Sequence, residues 1–196
     1  MSEMTFPRVH QIRFAYSGLE DRMAVVLTMA TGEGRIAWIS RRALSGLMHH
    51  INTVLKKSHP AGEGQEAHDT VMALEHIGAR SQVAAQRDQE QAAKADGEAP
   101  AVEAPTQWAH YLVTEARVEA QGENIIVAML GQPLPGEPDK RFEPAAIAGL
   151  ALTRPHAHEI LRLMRANADK AEWKLHLPIG WMGSGQQADA SGSGAS

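Results

Sequence analysis

Residues 22–57 read RMAVVLTMATGEGRIAWISRRALSGLMHHINTVLKK, and this stretch decides the fold. Its first nine residues are apolar at odd and even positions alike, as in a strand covered on both faces. Thr31-Gly32-Glu33-Gly34 then supplies a turn, and residues 35–39, RIAWI, give another strand. Ser40 is a good N-cap, after which Leu44, Leu47, Met48, Ile51 and Leu55 recur at helical spacing. Lys56 and Lys57 close the helix where its dipole favours cations.

Upstream, residues 8–16 alternate, with Ile12, Phe14 and Tyr16 on one face and Gln11 and Arg13 on the other. Ser17-Gly18-Leu19-Glu20-Asp21 makes the hairpin turn, so the first block is strand-strand-strand-helix. The same order recurs downstream. Residues 109–119 form a strand, 120–123 a turn and 124–130, NIIVAML, a strand apolar on both faces. A Pro/Gly-rich loop, GQPLPGEPDKRFEP, leads to a strand over 147–152, an N-cap at Thr153 and a helix with Pro155 in its first turn. At one constant offset, Leu44, Leu47, Met48, Ile51 and Leu55 match Ala157, Ile160, Leu161, Met164 and Ala168.

The expected fold class is α+β, built from two tandem βββα units with an antiparallel sheet, an intervening helix and a disordered C-terminal tail. The units span 1–58 and 107–182. A helical and acidic Pro/Ala linker occupies 59–106, and the Gly/Ser-rich tail covers 183–196. Within the linker, residues 66–94 carry strong helix formers and an early apolar patch of Val71, Met72, Leu74 and Ile77. A helix that packs at its start and then projects into solvent or onto a partner follows. Because each doubly apolar strand has only one helix of its own, a second cover is required: the other unit, the linker helix or another chain.

Apolar residues make up 43% of the chain and charged residues 21%, so a packed core is expected. The absence of cysteine removes disulfides, thiolate nucleophiles and cysteine-ligated zinc from consideration. The N-terminal residues lack the basic and then apolar pattern of a secretory signal, and no apolar run is long enough for a membrane span, so a cytoplasmic protein with no membrane partner is expected. Charge is uneven. Residues 1–58 carry eight Lys/Arg against four Asp/Glu, residues 59–106 three against nine, and the remainder eight against ten. A surplus of four over a whole block is small for a nucleic-acid surface.

Several residues invite a chemical reading. Arg41 and Arg42 at the first helix start, echoed by Arg154, would grip an anion or an acidic partner where backbone N–H groups point outward. His49 and His50, adjacent on the helix, diverge by about 100° and read as exposed polar residues, with Lys56 and Lys57 extending the basic face. His156, His158 and Glu159 are the metal candidates, although zinc on a helix needs histidines four residues apart. Ile179, Trp181 and Met182 form an apolar patch that either closes the second core or docks a partner. Trp38 reads as core. No nucleophile elbow and no phosphate-cradling Gly-Lys-Ser/Thr loop occurs.

These features point to a noncatalytic protein-interaction or assembly protein without a cofactor, associating with itself or another protein. The alternative is a regulatory nucleic-acid or anion binder using the basic first helix, and the third reading is a metal-dependent enzyme.

Overall fold

The alternating and helical periods become six strands and three helices in the computed structural model, which describes residues 5–59, 65–95, 105–135, 143–177 and 181. They are β1 (Val9–Ser17), β2 (Arg22–Met29), β3 (Gly34–Ile39), α1 (Arg41–Lys57), α2 (Gln65–Ala95), β4 (Trp108–Gln121), β5 (Asn124–Leu134), β6 (Ala145–Thr153) and α3 (Arg154–Lys170). Ser40 caps α1 as anticipated, its hydroxyl accepting from the Ala43 N–H. Thr153 holds the equivalent position, but its hydroxyl pairs with the His156 ring instead of the backbone. The tail at 183–196 and the acidic run at 96–104 lie outside the described residues.

All six strands share one sheet in sequence order. Four junctions are antiparallel, and the fifth, between β3 and β4, is parallel, from Gly34 beside Trp108 to Trp38 beside Leu112. The sheet is therefore mostly rather than wholly antiparallel, because β3 leaves into α1 and the chain returns to the same end through a long crossover. The sheet also curls. Its outer strands meet where Arg8 bridges Gly149 and the Gly149 N–H donates to the Pro7 carbonyl at 2.9 Å. Arg35, on β3, reaches to β6 and donates to the Ala146 and Ile147 carbonyls at 3.3 and 2.7 Å.

Curling explains how the doubly apolar strands are covered. Met23, Val25, Leu27 and Met29 of β2 and Ile125, Val127 and Met129 of β5 face one concave core, into which α1 and α3 set all five of their matched apolar positions. Between the two helices and the sheet remains a gap of about 10 Å³, hardly room for one water. The sheet interior is thus a packed core rather than a ligand chamber. On the convex side, small residues reduce the need for cover: Ala24, Thr28 and Ala128 are buried among neighbouring strands, while Val26 and Ile126 are half-buried.

Two local expectations are corrected. Trp38 is not core: Ala37 and Ile39 point inward, so alternation places Trp38 on the convex face, its indole N–H donating to His110 at 3.1 Å. Gly131–Leu134 is strand rather than loop, since β5 continues beside an equally extended β4, with Tyr111 opposite Pro133. Pro133 is tolerated because β6 pairs no further than Gly131, leaving β5 an edge beyond it.

Gly131 has a specific reason to be glycine. A methyl group there would run into the Leu112 carbonyl and the tip of the Ile147 side chain, and the carbonyl, held in the paired strands, cannot retreat. Gly131→Ala should cost about 2 kcal/mol or more of stability, read as a lower urea midpoint. An unchanged midpoint would show that the β4–β5 approach is looser than described.

Candidate interaction site between helices α2 and α3

The site begins with how α2 docks. Among its described side chains Met72, His76, Ala79 and Val83 are buried, at 4-3-4 spacing on one side of the helix. This stripe rests chiefly on α3. The helix has 31 residues, about 46 Å at 1.5 Å per residue, and positions 84–89 are exposed. The α3 helix in turn sends Ala157, Ile160, Leu161, Met164 and Ala168 toward the sheet and buries His158 and Glu159.

Two carboxylates anchor the seam. Glu75 on α2 accepts from Arg154 at 3.1 and 2.9 Å, while the same guanidinium donates to Ser58 Oγ and the Leu55 carbonyl. One arginine thereby joins the end of α1, the start of α3 and the middle of α2. Glu159 on α3 accepts from Arg162 at 2.7 and 2.9 Å and from Arg87 of α2 at 3.0 Å, with only 7% of its side chain exposed. Burial pushes both carboxyls up, but the arginine hydrogen bonds and charges outweigh it and both end below the ordinary glutamate value.

Between these anchors lie His158, His76 and Trp181. The indole meets both imidazoles edge-on, at 5.2 and 5.4 Å between ring centres, and donates to Asn52 at 3.1 Å. His158 Nε2 lies 3.3 Å from Glu75, and with that carboxylate ionised the ring nitrogen must donate. Nδ1 of His158 and of His76 is buried without a hydrogen-bond partner. Burial lowers the His158 pKa to about 4 against the opposing pull of Glu75. Burial also lowers that of His76, with Arg80 and Arg162 adding to the effect and Glu159 opposing it. Both rings are therefore neutral at pH 7.

Beside this seam opens a groove of about 490 Å³ lined by Ile77, Arg80, Ser81, Val83, Ala84 and Arg87 of α2 and by Glu159 and Arg162 of α3. Ile77 is 51% exposed, and Leu74, one turn earlier, is 65% exposed. Arg80 is exposed and meets no carboxylate among the described residues. An apolar wall therefore adjoins a surplus of positive charge.

The residues singled out from sequence are dispersed by the fold. Arg41 and Arg42 are exposed, Arg41 reaching the Lys174 carbonyl at 3.4 Å. His49 and His50 are exposed neighbours, Lys56 pairs with Asp69 at 2.8 Å, and Lys57 is exposed. Arg154, expected to meet an external anion, is instead spent on Glu75. His156, His158 and Glu159 face Thr153, Glu75 and two arginines respectively, and among the described residues no group of three or more side chains is placed to hold a metal. Trp181, read as either closing the second core or docking a partner, is 4% exposed and packs in the core of its own chain. Ile179 and Met182 lie outside the described residues. Glu75, Arg80, Arg87 and Arg162 were not singled out; the 4-3-4 spacing of residues 72, 76, 79 and 83 was the available signal.

Comparison with family models, curated proteins and solved structures yields no match to this chain. Among the described residues, no helix is long and apolar enough to cross a membrane.

The buried histidines give a pH signature. His158 holds its proton less tightly folded, near 4, than unfolded, near 6.5. The stability contributed by its neutral form is complete above pH 6.5 and is lost as pH falls toward 4. The full difference is on the order of 3 kcal/mol. The contributions of Glu75 and Glu159 are lost only lower, below about pH 4.5. Urea denaturation should therefore show stability declining from pH 6.5 to 4.5, with a shallower decline in His158→Gln. An identical slope in the variant would remove His158 as the cause.

Proposed function

We propose that this is a noncatalytic interaction or assembly protein of a reducing, cytoplasmic compartment, and that its docking surface is the α2–α3 groove with the outer flank of α2. The observation that carries the reading is the pair Leu74 and Ile77, large apolar side chains 65% and 51% exposed on one flank of α2. Exposed apolar groups three residues apart beside a groove are the anchors that helix-in-groove recognition uses. Catalysis is not favoured by this geometry. The two buried carboxylates are held by arginines within the seam, and among the described residues the sheet interior leaves only a gap of about 10 Å³.

The two halves serve this surface as copies of one βββα design, units 1–58 and 107–182 with α2 inserted between them. Two correspondences support the duplication. The five matched positions of α1 and α3 are all buried, and α1, following β3, packs on β4 as α3, following β6, packs on β1. The unequal partner of this symmetry is α2, which has no counterpart among the described residues of the second half and is free to carry function.

A photo-crosslinking residue placed at position 77 should yield a discrete adduct in cells, lost when Leu74→Asp is added. The same residue at position 19, where Leu19 is 97% exposed on a turn, should not. Equal labelling from both positions, or none from position 77, would remove the docking surface.

A further inference from the structure

The groove between α2 and α3 carries an imbalance of charge that the fold does not require. Arg162 and Arg87 converge on the single carboxylate of Glu159, which is too buried to be re-used by another group. Arg80, about two turns before Arg87, lies on the same lining and meets no carboxylate among the described residues. Three guanidinium groups and one carboxylate leave a net charge of +2 in a groove whose other walls are Ile77, Val83 and Ala84. That positive field is felt locally, since Arg80 and Arg162 both help keep His76 deprotonated.

Resting on the docking surface proposed above, we infer that this groove receives an acidic amphipathic helix of a partner protein, with apolar side chains against Ile77 and Ala84 and carboxylates on Arg80 and the outer edges of Arg87 and Arg162. The geometry distinguishes this occupant from other anions. Arginine presents a planar fork that takes a carboxylate at two points, and exposed Arg80 has that fork available. A nucleic acid would find no aromatic side chain in the lining on which to stack a base. A small free anion would leave the apolar wall wet. A helix fits the spacing, because residues 77, 80, 81, 84 and 87 follow one side of α2 and offer contacts at successive turns.

The test is fluorescence anisotropy of the full chain with a labelled 16-residue amphipathic peptide bearing leucines on one face and glutamates on its flanks. Its counterparts carry glutamine or lysine in place of glutamate. The glutamate peptide should bind at least tenfold more tightly than the glutamine peptide, weaken as salt is raised, and lose at least tenfold in Arg80→Glu. The lysine peptide should not bind. Arg80 is exposed and meets no carboxylate among the described residues, so the variant should keep the parent circular dichroism, and Arg42→Glu on α1 should bind like the parent.

Indifference to peptide charge, or equal losses in Arg80→Glu and Arg42→Glu, would overturn the inference. So would an oligonucleotide of equal charge that binds more tightly through Arg80, or light scattering that shows a second copy of this chain filling the groove. A position-77 adduct that persists unchanged in Arg80→Glu would sink the acidic chemistry while leaving the docking surface standing. Loss of the adduct at position 77 in the parent would sink both.

Discussion

The parallel pairing of β3 with β4 is the constraint on which the molecule depends. Each half alone is a three-stranded sheet with one helix, and its central strand would leave apolar side chains in water at about 1.5–3 kcal/mol each. Joining Gly34 to Trp108 and Trp38 to Leu112 makes one sheet from the two and lets it curl around a shared core. The join requires close approach. Gly34 lies against the Trp108 ring and the Pro105 side chain, and a methyl group there would meet both below 3 Å. A parallel junction also demands a long crossover, and this chain uses residues 40–107 for it. The sheet's topology thus requires a long connection, which α1 and α2 occupy.

Much of this was legible in the sequence. Period-two alternation placed β1, doubly apolar runs placed β2 and β5, and five apolar positions at helical spacing placed α1 and α3. These signals are local, and locality is what a sequence displays. The direction of the β3–β4 pairing was not legible, because nothing in RIAWI states which strand will lie beside it. Trp38 was misplaced for a related reason: a large indole reads as core, whereas the phase of the strand was fixed by the smaller Ala37 and by Ile39.

The candidate site was illegible for a different physical reason. Its buried members are His76, His158 and Glu159, residue types whose burial depends on partners far away in the chain. Glu75 lies 79 positions before Arg154, and Arg87 lies 72 before Glu159. A helical wheel of α3 places His158 and Glu159 off the apolar stripe and so reports them as exposed; only the arrival of α2 over that side buries them. The arginines suffered the converse error. Arg154 was read as outward-facing because it stands in the first turn of a helix, where cations are disfavoured, and its compensation by Glu75 comes from another element.

The balance of forces in the seam bears on the docking role proposed for α2. Its apolar footprint is small, with Met72 the largest side chain and Ala79 and Val83 adding little area, so burial alone holds it weakly. The rest of the attachment is two arginine-clamped carboxylates and two neutral imidazoles. Buried ion pairs of this kind contribute modest net stability but strong penalties for misalignment, because a displaced Glu159 or Arg154 would be a charge without a mate. The clamps therefore fix the register of α2 on α3 more than they fasten it. With the register set, Ile77, Arg80 and Arg87 are held in a defined row along the groove, so the helix proposed to dock there would meet a preorganised surface instead of ordering one.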